Sequence, residues 1–206
     1  IWVAANGPMA LRATGALGDG RISAGDEPPE VLEQSMKLME EGAAKVGRPW
    51  PDDFHTACVN YSCVLEPGEK VDSERVIDEV GSMVTCLLHF WYENYRRFGD
   101  DSFVPEGCQE EWQRYQHHVM EMETPEERRY QQIHEGHCTF IVPEERVFVT
   151  ENLIRASGGL VGTPDEIIET IRERERRGLK EITLLPPRAA ARKVFRDFSE
   201  HVMARY

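Results

Sequence analysis

The sequence predicts an α/β fold built on a parallel sheet. Three observations carry that prediction. Strand-like and helix-like segments alternate along the 206 residues, and helices of ten or more residues between strands mark βαβ crossovers. The chain opens on an apolar strand, Ile1-Trp-Val-Ala-Ala5, that runs into Gly7-Pro8 and a short helix. Further on, Gly159-Leu-Val-Gly162 leads into Thr163-Pro164-Asp-Glu166, a helix start with its cap, its first-turn proline and its capping-box acid in place.

Taken in order, the opening helix gives way to a second strand at Arg21-Ile22. A buried strand needs neighbours on both sides, so strands preceding Ile1 are expected. From Pro29 to Val46, Leu32, Met36, Met39, Ala43 and Val46 recur at helical spacing, and Gly47 and Pro49 stop the helix. Phe54 to Leu65 is rich in β-branched and aromatic residues without a helical stripe, which predicts one strand ended by Pro67-Gly68. A long helix follows from about Ser73 to Phe98, with Asp72 as the expected N-cap. Its stripe is Ile77, Val80, Val84, Leu87, Leu88, Trp91 and Tyr95.

Residues 99–150 break the rhythm and read as an insertion between standard units, polar and charged, rather than as a second domain. The helix after Thr163 turns Ile167, Ile168 and Ile171 inward and closes at Gly178. Glu181 to Leu185 forms the last strand, ended by Pro186-Pro187. A final helix from about Ala190 to Tyr206 sets Val194, Phe195, Phe198 and Val202 on one face.

Composition narrows the function classes. A net charge of −13 argues against nucleic acid, whose phosphates require a basic surface. No apolar run is long enough to span a bilayer, and no leading segment has the signal-peptide pattern. Cys58, Cys63, Cys86, Cys108 and Cys138 form no CxxC pair, an odd and scattered set that reads as reduced thiols in a cytoplasmic protein.

The residues offer two candidate sites. The turn Ala4-Ala5-Asn6-Gly7-Pro8 sits where a strand meets a helix N-terminus, a place that suits a phosphate, although a purely structural βα turn fits the same residues. His134-Glu135-Gly136-His137 could polarise a carbonyl or pass a proton. A metal is not expected there, because Gly136 weakens a helix and the spacing is shorter than His-Glu-x-x-His. Arg172, Arg174, Arg176 and Arg177 alternate with acids and read as an exposed salt-linked face. Trp50 reads as loop packing, His117-His118 as helix surface, and Asn60, Tyr61 and Ser62 as residues of which one could face a barrel lumen.

The stretches Ile1 to Ile22 and Gly162 to Pro187 together resemble the second half of luciferase-like monooxygenases: strand, Ala-Ala-x-Gly-Pro, helix, a Gly18-Asp-Gly20 where the family has Ala-Asp-Gly, and later Gly-Thr-Pro-Asp-Glu. The resemblance implies a (β/α)8 TIM barrel of which residues 1–206 hold about the last four units, with the insertion at about 99–150. It implies a flavin- or deazaflavin-dependent oxidoreductase that transfers hydride between coenzyme F420 or FMN and an organic substrate, or uses oxygen as a monooxygenase. In the family, the loop matching Ala4, Ala5, Asn6, Gly7 and Pro8 holds the cofactor's phosphate or ribityl end. His134 and His137 match a segment familiar from deazaflavin relatives and are the expected catalytic residues. The resemblance also implies a small-molecule substrate, a homodimer and, with FMN, a flavin reductase partner. The alternative from another class is a truncated, non-catalytic flavin-binding or partner subunit that dimerises.

Overall fold

The computed structural model describes residues 1–25 and 27–206. In chain order, the first elements are β1 (Trp2–Ala4), α1 (Pro8–Leu17), β2 (Gly20–Ala24), α2 (Pro29–Lys45), β3 (His55–Asn60) and β4 (Ser62–Val64). Then come α3 (Glu74–Phe98), α4 (Gln109–Met120), α5 (Arg129–Ile133), α6 (Glu151–Ala156), β5 (Leu160–Gly162), α7 (Pro164–Arg176), β6 (Glu181–Leu184) and α8 (Ala191–His201). Two compact units emerge, one of residues 1–60 with 168–185, the other of residues 61–167 with 186–206.

The first unit carries a parallel four-stranded sheet in the order β1-β2-β3-β6. Trp2 pairs with Gly20, Gly20 with His55, and Ala57 with Glu181. Parallel neighbours require crossovers, and α1 and α2 supply the first two. Those helices touch backbone to backbone. A Cβ at Gly15 would lie 1.7 Å from the Met39 carbonyl oxygen, and one at Gly42 would lie 1.9 Å from that of Arg12. Only glycine permits so close a crossing. Ala5, Leu11, Leu38, Met39 and Phe54 make the apolar centre beneath it, and Trp50 stacks on Phe54 at 4.5 Å.

The second unit packs around α3. Val76, Val80, Val84, Leu88 and Trp91 form the buried side of that helix, while Tyr95 lies at the surface. Trp112, Tyr115, Val119, Ile133 and Phe148, all from the segment between 99 and 150, pack into the same core. That segment is largely helical, through α4, α5 and several 3₁₀ turns. A separate two-stranded parallel sheet pairs Ser62 of β4 with Leu160 of β5.

Several expectations change. The strand expected over Phe54–Leu65 is interrupted at Tyr61, giving β3 and β4 in different sheets. The N-cap of α3 is Ser73, not Asp72, because the Ser73 hydroxyl accepts the Val76 N–H. The last helix ends at His201 and a 3₁₀ turn finishes the chain, with Phe195 exposed. Arg174 is buried, so the arginines of α7 do not form one exposed face. The capping box of α7 is as expected: Glu166 Oε2 accepts the Thr163 N–H at 2.7 Å. Among the described residues no helix is long and apolar enough to cross a membrane.

The start of α3 is tied by charge. Glu69 receives the Arg75 guanidinium, the Glu66 N–H at 2.9 Å and the Ser73 hydroxyl at 2.7 Å. These donors, Arg75 foremost, pull its carboxyl down from 4.5 to about 2. A depressed acid contributes stability that is complete above its unfolded pKa and is lost as pH falls through its folded one. The second unit therefore loses this contribution between about pH 4.5 and 2. Glu69→Gln is expected to lower stability at neutral pH and to flatten that part of the acid limb, read from urea unfolding at a series of pH values. An acid limb of unchanged slope would show that the carboxylate is not held this way.

Candidate functional site

Two groups of residues carry chemistry, one in each unit. In the first, the turn Ala4 to Pro8 leaves β1 and enters α1. Ala5 is buried, whereas Ala4, Asn6, Gly7 and Pro8 are exposed. Gly7 is the N-cap of α1, with φ −86° and ψ 155°, and no side chain caps the helix. The first turn of a helix leaves its N–H groups without intrahelical partners, and Pro8 has none to offer. Those of Gly7, Met9 and Ala10 thus define the helix start, and no acid in the first turn competes for them. A Cβ at Gly7 would meet nothing within 4 Å, so the glycine leaves open space beside those donors. Such an N-terminus attracts anions through aligned N–H groups and the helix dipole.

The turn is held from behind by Arg21 of β2, which is only 3 % exposed. Its Nε donates to the Ala5 carbonyl at 2.7 Å, and Nη1 and Nη2 each donate to a carboxylate oxygen of Glu27 at 2.6 Å. Nη2 also reaches Asn6 Oδ1 at 3.4 Å. A bidentate guanidinium–carboxylate pair fixes direction as well as charge. Asn6 therefore offers its amide N–H₂ outward, since its oxygen faces Arg21.

In the second unit, the structure brings His134 and His137 together, with ring centroids 5.0 Å apart. His134 Nδ1 lies 2.8 Å from the Tyr130 carbonyl, which can only accept. That bond puts the proton on Nδ1 and leaves the Nε2 lone pair available. His137 Nδ1 faces His89 Nδ1 at 3.0 Å and Cys86 Sγ at 3.5 Å. Partial burial of the His137 ring, followed by the neighbouring His89 and His134, holds its pKa below the ordinary imidazole value. The neutral form is thereby favoured.

Behind these rings lies a buried polar chain. His89 Nε2 is 3.0 Å from Glu145 Oε1, and the Tyr115 hydroxyl donates to the same oxygen at 3.2 Å. Burial, reinforced by the Glu145 charge, pushes the Tyr115 phenol well up, so it stays protonated as a donor. His89, Glu145, Tyr115 and Cys86 escape sequence reasoning. Cys86 and His89 lie 51 and 48 residues before His137, too far apart for any spacing rule. The available signal was local: His89 is a polar residue between Leu88 and Trp91 on the apolar side of α3.

Of the residues considered for a barrel lumen, Tyr61 and Ser62 are engaged structurally. The Tyr61 hydroxyl bonds the Ser157 hydroxyl, and Ser62 Oγ donates to the Leu160 carbonyl at 3.0 Å. His117 is exposed and pairs with Glu121, as expected of helix surface.

Comparison with known proteins places these features in context. A family model described as luciferase-like monooxygenase matches residues 1–181. No curated protein sequence matches significantly. Among solved structures, the chain is similar to a coenzyme F420-dependent tetrahydromethanopterin reductase from Methanopyrus kandleri, with 16% identity and a TM-score of 0.57 over 100% of this chain and 50% of that one. It is also similar to a riboflavin lyase solved with modified FMN and riboflavin, with 19% identity and a TM-score of 0.51 over 98% of this chain and 41% of that one. The chain thus spans half the length of these structures or less, and at such identities the likeness speaks for the fold.

Proposed function

Because this chain belongs to the luciferase-like monooxygenase family, we propose that it is the coenzyme-phosphate-holding part of a flavin- or deazaflavin-dependent oxidoreductase. On this reading β1, β2, β3 and β6 are the last four strands of a (β/α)8 barrel, and the turn after β1 lies at a strand's C-terminal end, where such barrels keep their sites. The observation that carries the proposal is the start of α1: uncapped N–H groups, no first-turn acid, and a glycine whose missing Cβ leaves room.

These residues fit the phosphate end of FMN or coenzyme F420. Met9 and Ala10 donate their N–H groups, Asn6 adds its side-chain amide, and Arg21 keeps the turn in place through the Ala5 carbonyl. The bound coenzyme supplies hydride transfer or oxygen chemistry, and the protein supplies binding and orientation. The Gly-Pro of the turn and the His134–His137 segment tilt the choice towards the deazaflavin. His134 takes the proton-handling role, since its Nε2 lone pair is the one its hydrogen bonding leaves open. His137 turns its Nδ1 into the cluster.

Titration of the chain with FMN, riboflavin and coenzyme F420, followed by fluorescence, tests this reading. FMN is expected to bind more tightly than riboflavin by about 10-fold or more for each charge-assisted hydrogen bond to phosphate. Equal affinities would remove the phosphate role from the turn. Where turnover is seen, His134→Ala is expected to lower kcat by about 10²–10⁴-fold and leave coenzyme affinity unchanged. Coenzyme binding without any turnover would favour the non-catalytic subunit instead.

A further inference from the structure

The cluster behind His134 has the geometry of a metal site. Cys86 Sγ, His137 Nδ1 and Cys138 Sγ all lie within 4.8 Å of one another. Cys86 Sγ is 3.5 Å from His137 Nδ1 and 3.5 Å from Cys138 Sγ. His89, three residues after Cys86 and so on the same side of α3, brings its Nδ1 to 3.0 Å from His137 Nδ1.

Zinc bonds of about 2.3 Å to sulfur and 2.0–2.1 Å to nitrogen, at tetrahedral angles, set ligand atoms roughly 3.8 Å apart for S–S, 3.5 Å for S–N and 3.3 Å for N–N. The three separations in the protein fall within about 0.4 Å of these values. Hydrogen bonding accounts less well for the two sulfur contacts, since a thiol is a weak donor and a weak acceptor.

A second, independent feature points the same way. His89 is 1 % exposed, and its Nε2 is held by both oxygens of Glu145, at 3.0 and 3.2 Å, with Tyr115 donating to that carboxylate. A carboxylate behind a histidine fixes the proton on Nε2 and aims the Nδ1 lone pair at a metal. Cys138 also holds φ +56°, a conformation that L-residues adopt when their surroundings impose it.

We propose that Cys86, His137 and Cys138 bind one zinc-class divalent cation that ties the 134–140 segment to α3. His89, whose Nδ1 stands beside His137 but outside the group of three, completes the shell by a shift of its ring. Binding releases the two thiol protons to solvent and shifts the single ring proton of His137 from Nδ1 to Nε2, so both imidazoles stay neutral, while His89 keeps its Nε2 proton for Glu145. The site needs nothing from the coenzyme and stands or falls separately from it.

Titration of the reduced chain with cobalt(II) and zinc(II) provides the test. One equivalent of cobalt is expected to give a thiolate-to-metal charge-transfer band and the intense visible bands of a tetrahedral ion. A hundredfold excess of zinc over Kd is expected to raise Tm by about 5–10 °C. Cys138→Ser, in a surface turn that tolerates it, is expected to weaken the charge-transfer band, and Glu145→Gln to cut affinity by about 10–100-fold. Cys108→Ser, whose thiol lies against the Asn152 carbonyl instead, leaves both unchanged. Three results would overturn the proposal: no saturable binding at one equivalent, a cobalt spectrum without sulfur bands, or affinity indifferent to Cys138→Ser. A Cys86–Cys138 disulfide in a chain that binds no metal when reduced would assign the pair to redox chemistry.

Discussion

Arg21→Met is expected to destabilise the first unit by about 3–5 kcal/mol, because it breaks a buried ion pair on one side only. Methionine replaces much of the stem of the arginine but none of its donors. The Glu27 carboxylate, 17% exposed, would lose both of its 2.6 Å partners, and the Ala5 carbonyl would lose a 2.7 Å one. An orphaned buried group costs more than the net worth of the bond it made. The double variant Arg21→Met with Glu27→Leu separates the two losses. Removing both charges is expected to recover most of the stability. It would not recover coenzyme affinity, since the turn after β1 would still lack its tether from Ala5. Urea unfolding followed by Trp2 and Trp50 fluorescence reads the first effect, and FMN titration the second. A loss below about 1 kcal/mol would mean that solvent screens the pair as it does at a surface.

That tether shows which parts of the molecule were legible in the sequence. Signals written within one turn of chain were readable. Thr163, Pro164 and Glu166 spell the start of α7, Gly47 and Pro49 stop α2, and the turn from Ala5 to Pro8 opens α1 with no capping side chain. Each depends on neighbours a few residues apart.

Features that depend on partners far along the chain were not legible. Arg21 looked like the start of a strand, and nothing in its neighbourhood says that its side chain runs inward to Ala5 and Glu27. Arg174 sits among alternating charges that describe an exposed face, yet it is buried. The Tyr61 break follows from Tyr61 and Ser157, residues 96 apart, bonding through their hydroxyls while the backbone changes sheet. Gly15 and Gly42 form the contact between α1 and α2, and nothing in their own neighbourhoods announces it. The histidine cluster combines both kinds of information. His134 and His137 were visible as a motif, whereas His89, Glu145 and Tyr115 became visible only when the segment after residue 99 packed onto α3. Gly136 and the short spacing within His134–His137 argue against a metal held by that motif alone, and they carry no information on the sulfur that Cys86 brings from a helix 51 residues away.

Gly7→Val separates binding from folding more cleanly than any other change to the turn. Its φ of −86° and ψ of 155° are extended, a region where β-branched residues are at ease. A Cβ there meets nothing within 4 Å, so the added carbons displace no part of the protein. The remaining cost is that valine is a poorer N-cap than glycine, so stability is expected to fall by about 1 kcal/mol with the fold intact. The isopropyl group would occupy the space beside the Met9 and Ala10 N–H groups, through which a phosphate must approach. Two charge-assisted hydrogen bonds of about 1.5–3 kcal/mol each would be lost. Their sum corresponds to a rise of about 10²–10⁴-fold in the Kd for FMN or coenzyme F420. Riboflavin, which has no phosphate, is expected to lose far less, and Gly7→Ala should fall between parent and valine. Equal losses for FMN and riboflavin would mean that valine disturbs some other part of the coenzyme. An unchanged FMN affinity with the fold intact would show that the phosphate is held elsewhere, and Gly7 would then be a turn residue and nothing more.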